Sequence, residues 1–495
     1  MANIIKDQFN VEFLVKRDRT LELIKCMQEM DEYEVPASLD GMDVTSIGRY
    51  AFKGNKTLVS VGIADTVSVI KKGAFLGCVS MLEITLSNNL TTIEDSAFAG
   101  CLELTELNLP TSLKKIGKRA FAFAKSLNEL AVPSSVEEIG KKAFFGCSGL
   151  TELRIENSIK IVGKKAFYGC SIEHASVPAI AVSTMARARF KDLEITSGER
   201  IGSKDFYKCT KLASIKLAPT IISIGNHAFA GCKSLSNIAL PSSLISIGKM
   251  AFYNCDGLTQ IYIPSEVDSI GERAFAKCNN LTSVIIDNGT KSIGDGCFEY
   301  CDSLTSVVLG LNVENIGDNA FAYCVGLTSI VLPNSSLSIG DYAFKECSSL
   351  MKLEIGINLR SIGVDAFSGC VGLTQLYIPH SVESIGNGAF YNCDSITSVQ
   401  LENGLVSIGK EAFYNCSSLM MLEIPDTVAS IGAGAFYNCE SLTKVTLGRS
   451  VMHIEKDAFE KCRRIAIVEN HSSLKVKKHS AKHGKVARYA KAIKY

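Results

Sequence analysis

The sequence predicts an α/β-type repeat solenoid dominated by short parallel strands, a curved rod of about 18 coils of 23 residues each. Three observations carry that prediction. The 495 residues exceed the roughly 250–300 that a single hydrophobic core serves. Phe recurs at 52, 75, 98, 121, 144 and 167, then at 206, 229, 252, 275, 298, 321, 344, 367, 390, 413, 436 and 459, with every spacing inside each block equal to 23. Cys stands three residues after that Phe in 16 of 18 repeats. A fixed period of this length means stacked supersecondary units, each burying its apolar face against its neighbours.

Each recurring position has a physical reason. The segment Leu258-Thr259-Gln260-Ile261-Tyr262-Ile263 ends in apolar–polar alternation, as a strand with one buried face must. Pro264 follows it, and Gly310, Gly356 or Gly448 takes that place elsewhere; either residue ends pairing and starts a turn. The position four before the Phe, Gly248 in this unit, is Gly in 15 of 18 repeats, with Lys71, Glu94 and Glu455 as the exceptions. Gly suits a backbone with positive φ or a close approach between coils. Phe252 and its counterparts form an interior aromatic column, each ring burying roughly 150–250 Å².

The 18 Cys read as buried thiols rather than a disulfide framework. In-register strands keep neighbouring Cβ atoms near 4.8 Å, outside the usual ~3.5–4.5 Å of a disulfide. A small polarisable thiol fits a tight interior and bonds weakly to backbone groups at the turn. Cys297 and Cys301 have metal-ligand spacing, but no second pair or His follows at a suitable distance, so no metal site is expected.

Five segments result. Residues 1–40 lack the lattice; the alternations at 9–13 and 20–24 suit an N-terminal cap. A first block of six coils covers 41–170. Across 171–202 the Phe spacing widens to 39, and Phe190, 23 residues after Phe167, reads as a coincidence because Arg189 precedes it and Leu193 holds the Cys position. The composition of 183–190 predicts a short helical insert in an irregular coil there. Twelve coils follow over 203–465, and 466–495 is a basic C-terminal cap or tail. From His471 onward there are eight Lys/Arg and no acid, so the remaining 44 basic residues against 51 acidic ones leave the body at −7. Ala481, Ala487, Ala490 and Ala492 predict a short basic helix capping the last coil, its cations in solvent.

The repeat Ser-Ile-Gly-x-x-Ala-Phe-x-x-Cys-x-x-Leu-Thr-x-Ile-x-Ile-Pro resembles that of the BspA-like leucine-rich-repeat family, and residues 35–48 resemble its first repeat. The likeness covers about residues 35–465. In the commoner leucine-rich pattern Asn or Cys follows the Leu-x-Leu strand; here Cys precedes it, which favours the BspA-like branch. The resemblance implies a surface or secreted protein that binds host or neighbouring-cell proteins, often in matrix adhesion. It carries no catalytic residues.

Binding residues are therefore expected eight and ten positions after each Phe, on the outward face of the strands. Glu83, Glu106, Glu129 and Glu152 form an acidic column there, suited to a basic partner, to a cation, or simply to solvent beside Arg154. Tyr262, Ile285, Val308 and Val331, then Tyr377 beyond Glu354, form an apolar column of the kind partners use; β propensity alone also accounts for it. Tyr391, Tyr414 and Tyr437 make a stripe on another face that edge packing explains.

Function classes narrow accordingly. No phosphate loop, nucleophile beside a His, or clustered ligand set appears, and the His at 174, 227, 380 and 453 are dispersed, so no enzyme and no cofactor are expected. A net charge of +1 points to no specific nucleic acid, and no apolar run is long enough to span a membrane. The expected partner is a protein, such as extracellular matrix or another cell surface, bound by a monomer. Met1 to Phe13 hold no secretory apolar core, so a cytoplasmic scaffold or effector stands as the alternative to a surface protein.

Overall fold

The computed structural model describes residues 3–185 and 189–495. They form two compact units, one comprising the chain up to Arg200 with Lys211–Ile221, the other Ile201–Thr210 with Ile222–Tyr495. Both are parallel-strand solenoids with nearly no helix.

Each coil carries a two-residue strand before the Phe and, in most coils, a longer strand after the Cys. In the second unit Ser246–Ile247 pairs in parallel with Ser269–Ile270, residue opposite residue 23 later, in a ladder that runs on in the same way to His453–Ile454. In the first unit Met42–Ile47, Val69–Ile70, Thr92–Ile93, Lys115–Ile116, Glu138–Ile139 and Ile161–Val162 do the same. Longer strands such as Gln260–Ile263 point Ile261 and Ile263 inward and leave Gln260 and Tyr262 exposed, as alternation requires.

The lattice Phe side chains stack through the interior of each unit. Phe52 and Phe75 have ring centroids 4.9 Å apart, and Phe344 and Phe367 are 5.1 Å apart with planes at 0°. Near-parallel planes at these separations describe an offset stack, the arrangement the ring quadrupole favours over a face-to-face sandwich. All 18 Cys are unpaired thiols. The Gly that recurs four residues before the Phe owes its place to close approach: a Cβ on Gly271 would lie 2.6 Å from the carbonyl carbon of Gly248. Positive φ falls two residues later, where non-glycine side chains accept it, as at Met250 (53°) and Arg273 (52°).

At the lattice break the two ladders behave differently. Strands His174–Val177 and Asp192–Ile195 pair in register, Ala175 opposite Leu193, so one coil closes in 18 residues and the longer-strand ladder runs on from Glu152–Ile155 to Ser214–Lys216. The sequence reading placed an irregular, helix-bearing insert here. Among the described residues the helical turn in this segment is Ala179–Val182, earlier than the expected 183–190; residues 183–185 form a turn and bend, and 186–188 lie outside the described residues. Phe190 is buried at 3% exposure and leads into a regular strand.

The ends are closed differently. Ile4–Lys6, Glu12–Val15 and Leu21–Lys25 form an antiparallel meander whose last strand turns parallel to Met42–Ile47, burying Phe13 and Leu23 completely. Tyr33 continues the Phe column beyond Phe52 and donates its hydroxyl to Asp7 at 2.5 Å. The basic tail forms no α-helix, which corrects the sequence expectation. It folds as a 3-10 turn, His483–Lys485, and a strand, Ala492–Lys494, added parallel to Ile467–Asn470. Gly484 supplies the carbonyl that Phe459 would otherwise lack, at 2.8 Å.

Candidate functional site

The coils present three surfaces, two on the outward faces of the longer strands and one at the turns around the Phe. The first is a groove of about 1030 Å³ in the first unit, floored by the longer-strand ladder that passes through the 18-residue coil. Glu106, Glu129 and Glu152 line one part of it, with Glu129 directly opposite Glu152 in the ladder. Glu83 is exposed in register with Ser60 on a separate three-stranded ladder and does not line the groove. The acidic column continues through positions that sequence periodicity missed because the break shifts their numbering: Glu152 pairs with His174, and His174 with Asp192.

That shift changes the chemistry along the groove. His174 Nδ1 lies 3.2 Å from Asp192, whose other oxygen accepts from Ser214 at 2.5 Å. Glu194 accepts from Lys216 at 2.7 Å and Ser176 at 2.9 Å, and these bonds, Lys216 first, hold its carboxyl below the usual range. Arg154 sits opposite Ala131 and Ser176 and reaches Glu156 at 4.0 Å. Among the described residues Glu106, Glu129 and Glu152 have no ion-pair partner, and no three His, Cys, Asp or Glu side chains converge as metal ligands would.

The second surface is the apolar column. Tyr262, Ile285 and Val308 stand in register on one three-stranded ladder, 49%, 43% and 53% exposed. Val331 continues it one coil on, opposite Glu354, which pairs with Lys352 at 2.5 Å; this charged pair separates Tyr377 from the rest. Tyr262 donates its hydroxyl to Asp287 at 2.6 Å, a contact across to the next coil. The bond lowers the carboxyl of Asp287 and raises the phenol of Tyr262. The Tyr391, Tyr414 and Tyr437 stripe is a stack with centroids 4.8 Å apart at each step.

These coils match the sequence profile of the BspA type leucine rich repeat region, which covers residues 45–173, 115–195, 199–328, 314–420 and 406–481. The chain belongs to the BspA-type leucine-rich-repeat family. Its repeat is a protein-interaction scaffold. Solved structures similar to it include a leucine-rich repeat protein from Bacteroides ovatus, 24% identical over 86% of this chain and 93% of that one, with a TM-score of 0.35. A leucine rich cell surface protein from Faecalibacterium prausnitzii is 21% identical over 90% and 94%, TM-score 0.29. The leucine rich repeat protein of T. pallidum is 24% identical over 47% and 91%, TM-score 0.31. No curated protein matches the sequence.

The third surface of this BspA-type chain escaped the sequence reading. Lys118 and Arg119, Lys141 and Lys142, and Lys164 and Lys165 occupy the two positions ahead of Ala-Phe in three successive coils. The signal was a doublet recurring at the lattice period, visible once charge is tracked column by column. Beside it lies a groove of about 720 Å³ lined by Leu76, Val79, Leu102, Phe123 and Phe145.

Proposed function

We propose that the protein is a non-enzymatic cell-surface adhesion or host/neighbour-cell interaction protein, monomeric, that binds a protein partner through the outward faces of its longer strands. The observation that carries this is the column Tyr262, Ile285, Val308 and Val331: apolar side chains about half exposed on four successive coils, with one Tyr already fixed by Asp287. A rigid aromatic in an apolar strip loses little entropy on docking and suits an anchor residue. Tyr377 in the second unit and, separately, the carboxylates Glu83, Glu106, Glu129 and Glu152 in the first are further candidate contacts on outward strand faces, the carboxylates for a partner's basic side chains. No helix among the described residues is long and apolar enough to cross a membrane.

An intracellular scaffold is the second reading, favoured by the 18 unpaired cysteines, since free thiols persist where glutathione keeps them reduced. Protease treatment of intact source cells, with a cytosolic protein as lysis control, separates the two. Cleavage supports adhesion; protection lost only on permeabilisation supports the scaffold. For a matrix protein that binds, Tyr262→Ala with Tyr377→Ala should weaken affinity about tenfold or more, and unchanged affinity removes the apolar column from the proposal.

A further inference from the structure

We propose that the basic doublets of the first unit, with the groove beside them, form a second docking surface, for an acidic protein segment carrying a bulky apolar anchor. It is independent of the strand-face reading above, because it lies at the turn that precedes and follows the Phe rather than on the longer strands.

Six cations, Lys118, Arg119, Lys141, Lys142, Lys164 and Lys165, are held one coil apart by the backbone itself: Arg119 N–H donates to the Lys141 carbonyl at 3.1 Å and Lys142 N–H to that of Lys164 at 3.3 Å. None of the six has an ion-pair partner among the described residues. Asp95, one coil earlier, accepts from the Lys118 backbone N–H at 2.8 Å. Burial, then the neighbouring charges of Arg119, Lys165, Lys141 and Lys118, hold the Lys142 ammonium below its ordinary value. Among the described residues no ion pair offsets this crowding of like charge, and an anionic partner relieves it. Elsewhere on the chain the same repeat position carries Asp295, Asp318 and Asp341, so a basic residue is not a demand of the coil.

The groove decides which anion. Phe123 is 45% exposed and meets Phe145 edge-on at 5.5 Å, and Lys142 lies 4.9 Å from the Phe145 ring centroid. In the two preceding coils the position of Phe123 is held by Gly77 and Gly100, both at positive φ, which leaves the floor low and Phe123 standing as a wall. A purely polar polyanion, such as a sulfated glycan or a nucleic acid backbone, uses the cations and leaves this apolar floor wet. A segment with carboxylates flanking an aromatic or aliphatic side chain uses both.

The test uses the full chain and a labelled twelve-residue peptide alternating glutamate and phenylalanine, followed by fluorescence anisotropy. Binding should be about tenfold tighter than for the same peptide with serine in place of phenylalanine, and should weaken as salt rises. Lys118→Glu with Lys141→Glu and Lys164→Glu should abolish it, and Phe123→Ala should cost about tenfold; all four side chains are exposed, and an unchanged melting temperature confirms folding. Equal binding of the serine peptide, or tight binding of a sulfated glycan with no effect of Phe123→Ala, overturns the proposal in favour of a general polyanion surface. Absence of binding by the phenylalanine peptide, or binding undiminished in the triple variant, overturns it outright.

Discussion

The Sγ of Cys255 donates to the carbonyl oxygen of Phe229, 3.1 Å away and one coil back. The same bond joins Cys278 to Phe252 at 3.2 Å and Cys78 to Phe52 at 3.1 Å. A thiol is the small apolar donor that fills the turn and satisfies this carbonyl without the full desolvation cost of a hydroxyl. Cys26 and Cys209 are partly exposed and the other 16 are buried. A thiol reagent at pH 8 should therefore modify two thiols in the native protein and the rest at the rate of unfolding. Labelling of most cysteines at the denatured rate would contradict the packing described.

The same burial makes the fold alkali-sensitive. Desolvation pushes Cys78, Cys278 and Cys347 from the ordinary 9.0 up to about 12, and Cys209 to about 11. Between these values the native state keeps protons that the unfolded chain has released. Stability is thus fully present below pH 9 and falls as pH rises from about 9 towards 12. Melts at successive pH values should show this decline, and Cys278→Ala should make it shallower than in the parent chain. An equal slope in the variant would assign the loss to other groups.

Two interior substitutions separate space from shape. Gly271→Ala forces a methyl to within 2.6 Å of the Gly248 carbonyl carbon, and neighbouring backbone cannot yield; a loss of about 1–3 kcal/mol is expected from overpacking. Phe252→Ala opens a gap in the aromatic stack, with an expected loss of about 3–5 kcal/mol. Denaturant titration measures both. A neutral Gly271→Ala would show that the coils can separate locally, contrary to the close approach seen here.

Period, Phe column, thiols and strand alternation were legible because each coil repeats one set of contacts, so a single physical reason applies at every lattice position. Legibility failed where contacts stop repeating. The 18-residue coil keeps one ladder and drops the other, and no count of Phe spacings distinguishes that from an insert; His174 and Asp192 entered the groove unseen for this reason. Tyr262 could be named from spacing, but Asp287 as its partner depends on side-chain reach between coils. The tail misled because alanine spacing suggested a helix, while tertiary pairing with an open strand edge outweighed that weak propensity.

The strand Ile467–Asn470 would be unpaired on one side without Ala492–Lys494, and the interior would lie open beside Phe459 and Cys462. Val476, Val486, Ala487 and Ala490 of this segment are buried, and Lys485 pairs with Asp457 at 2.7 Å and also with Glu460. Arg488 grips both oxygens of Glu460 at 3.0 and 2.8 Å. A chain ending at Asn470 loses two buried Val side chains as well as the strand, so roughly 3 kcal/mol or more of local stability should go. Because coils depend on their neighbours, the loss should appear as faster proteolysis of the final coils before any shift in the main transition. Glu460→Gln tests the ionic part alone: with partly exposed partners about 1 kcal/mol is expected, and it should shrink in high salt. Lys485 is the first cause holding the Glu460 carboxyl below the ordinary 4.5, so this contribution is present at neutral pH and lost as pH falls through the native value. Truncation with no change in proteolysis or melting would show that the basic segment is a passenger on the last coil and not its cap.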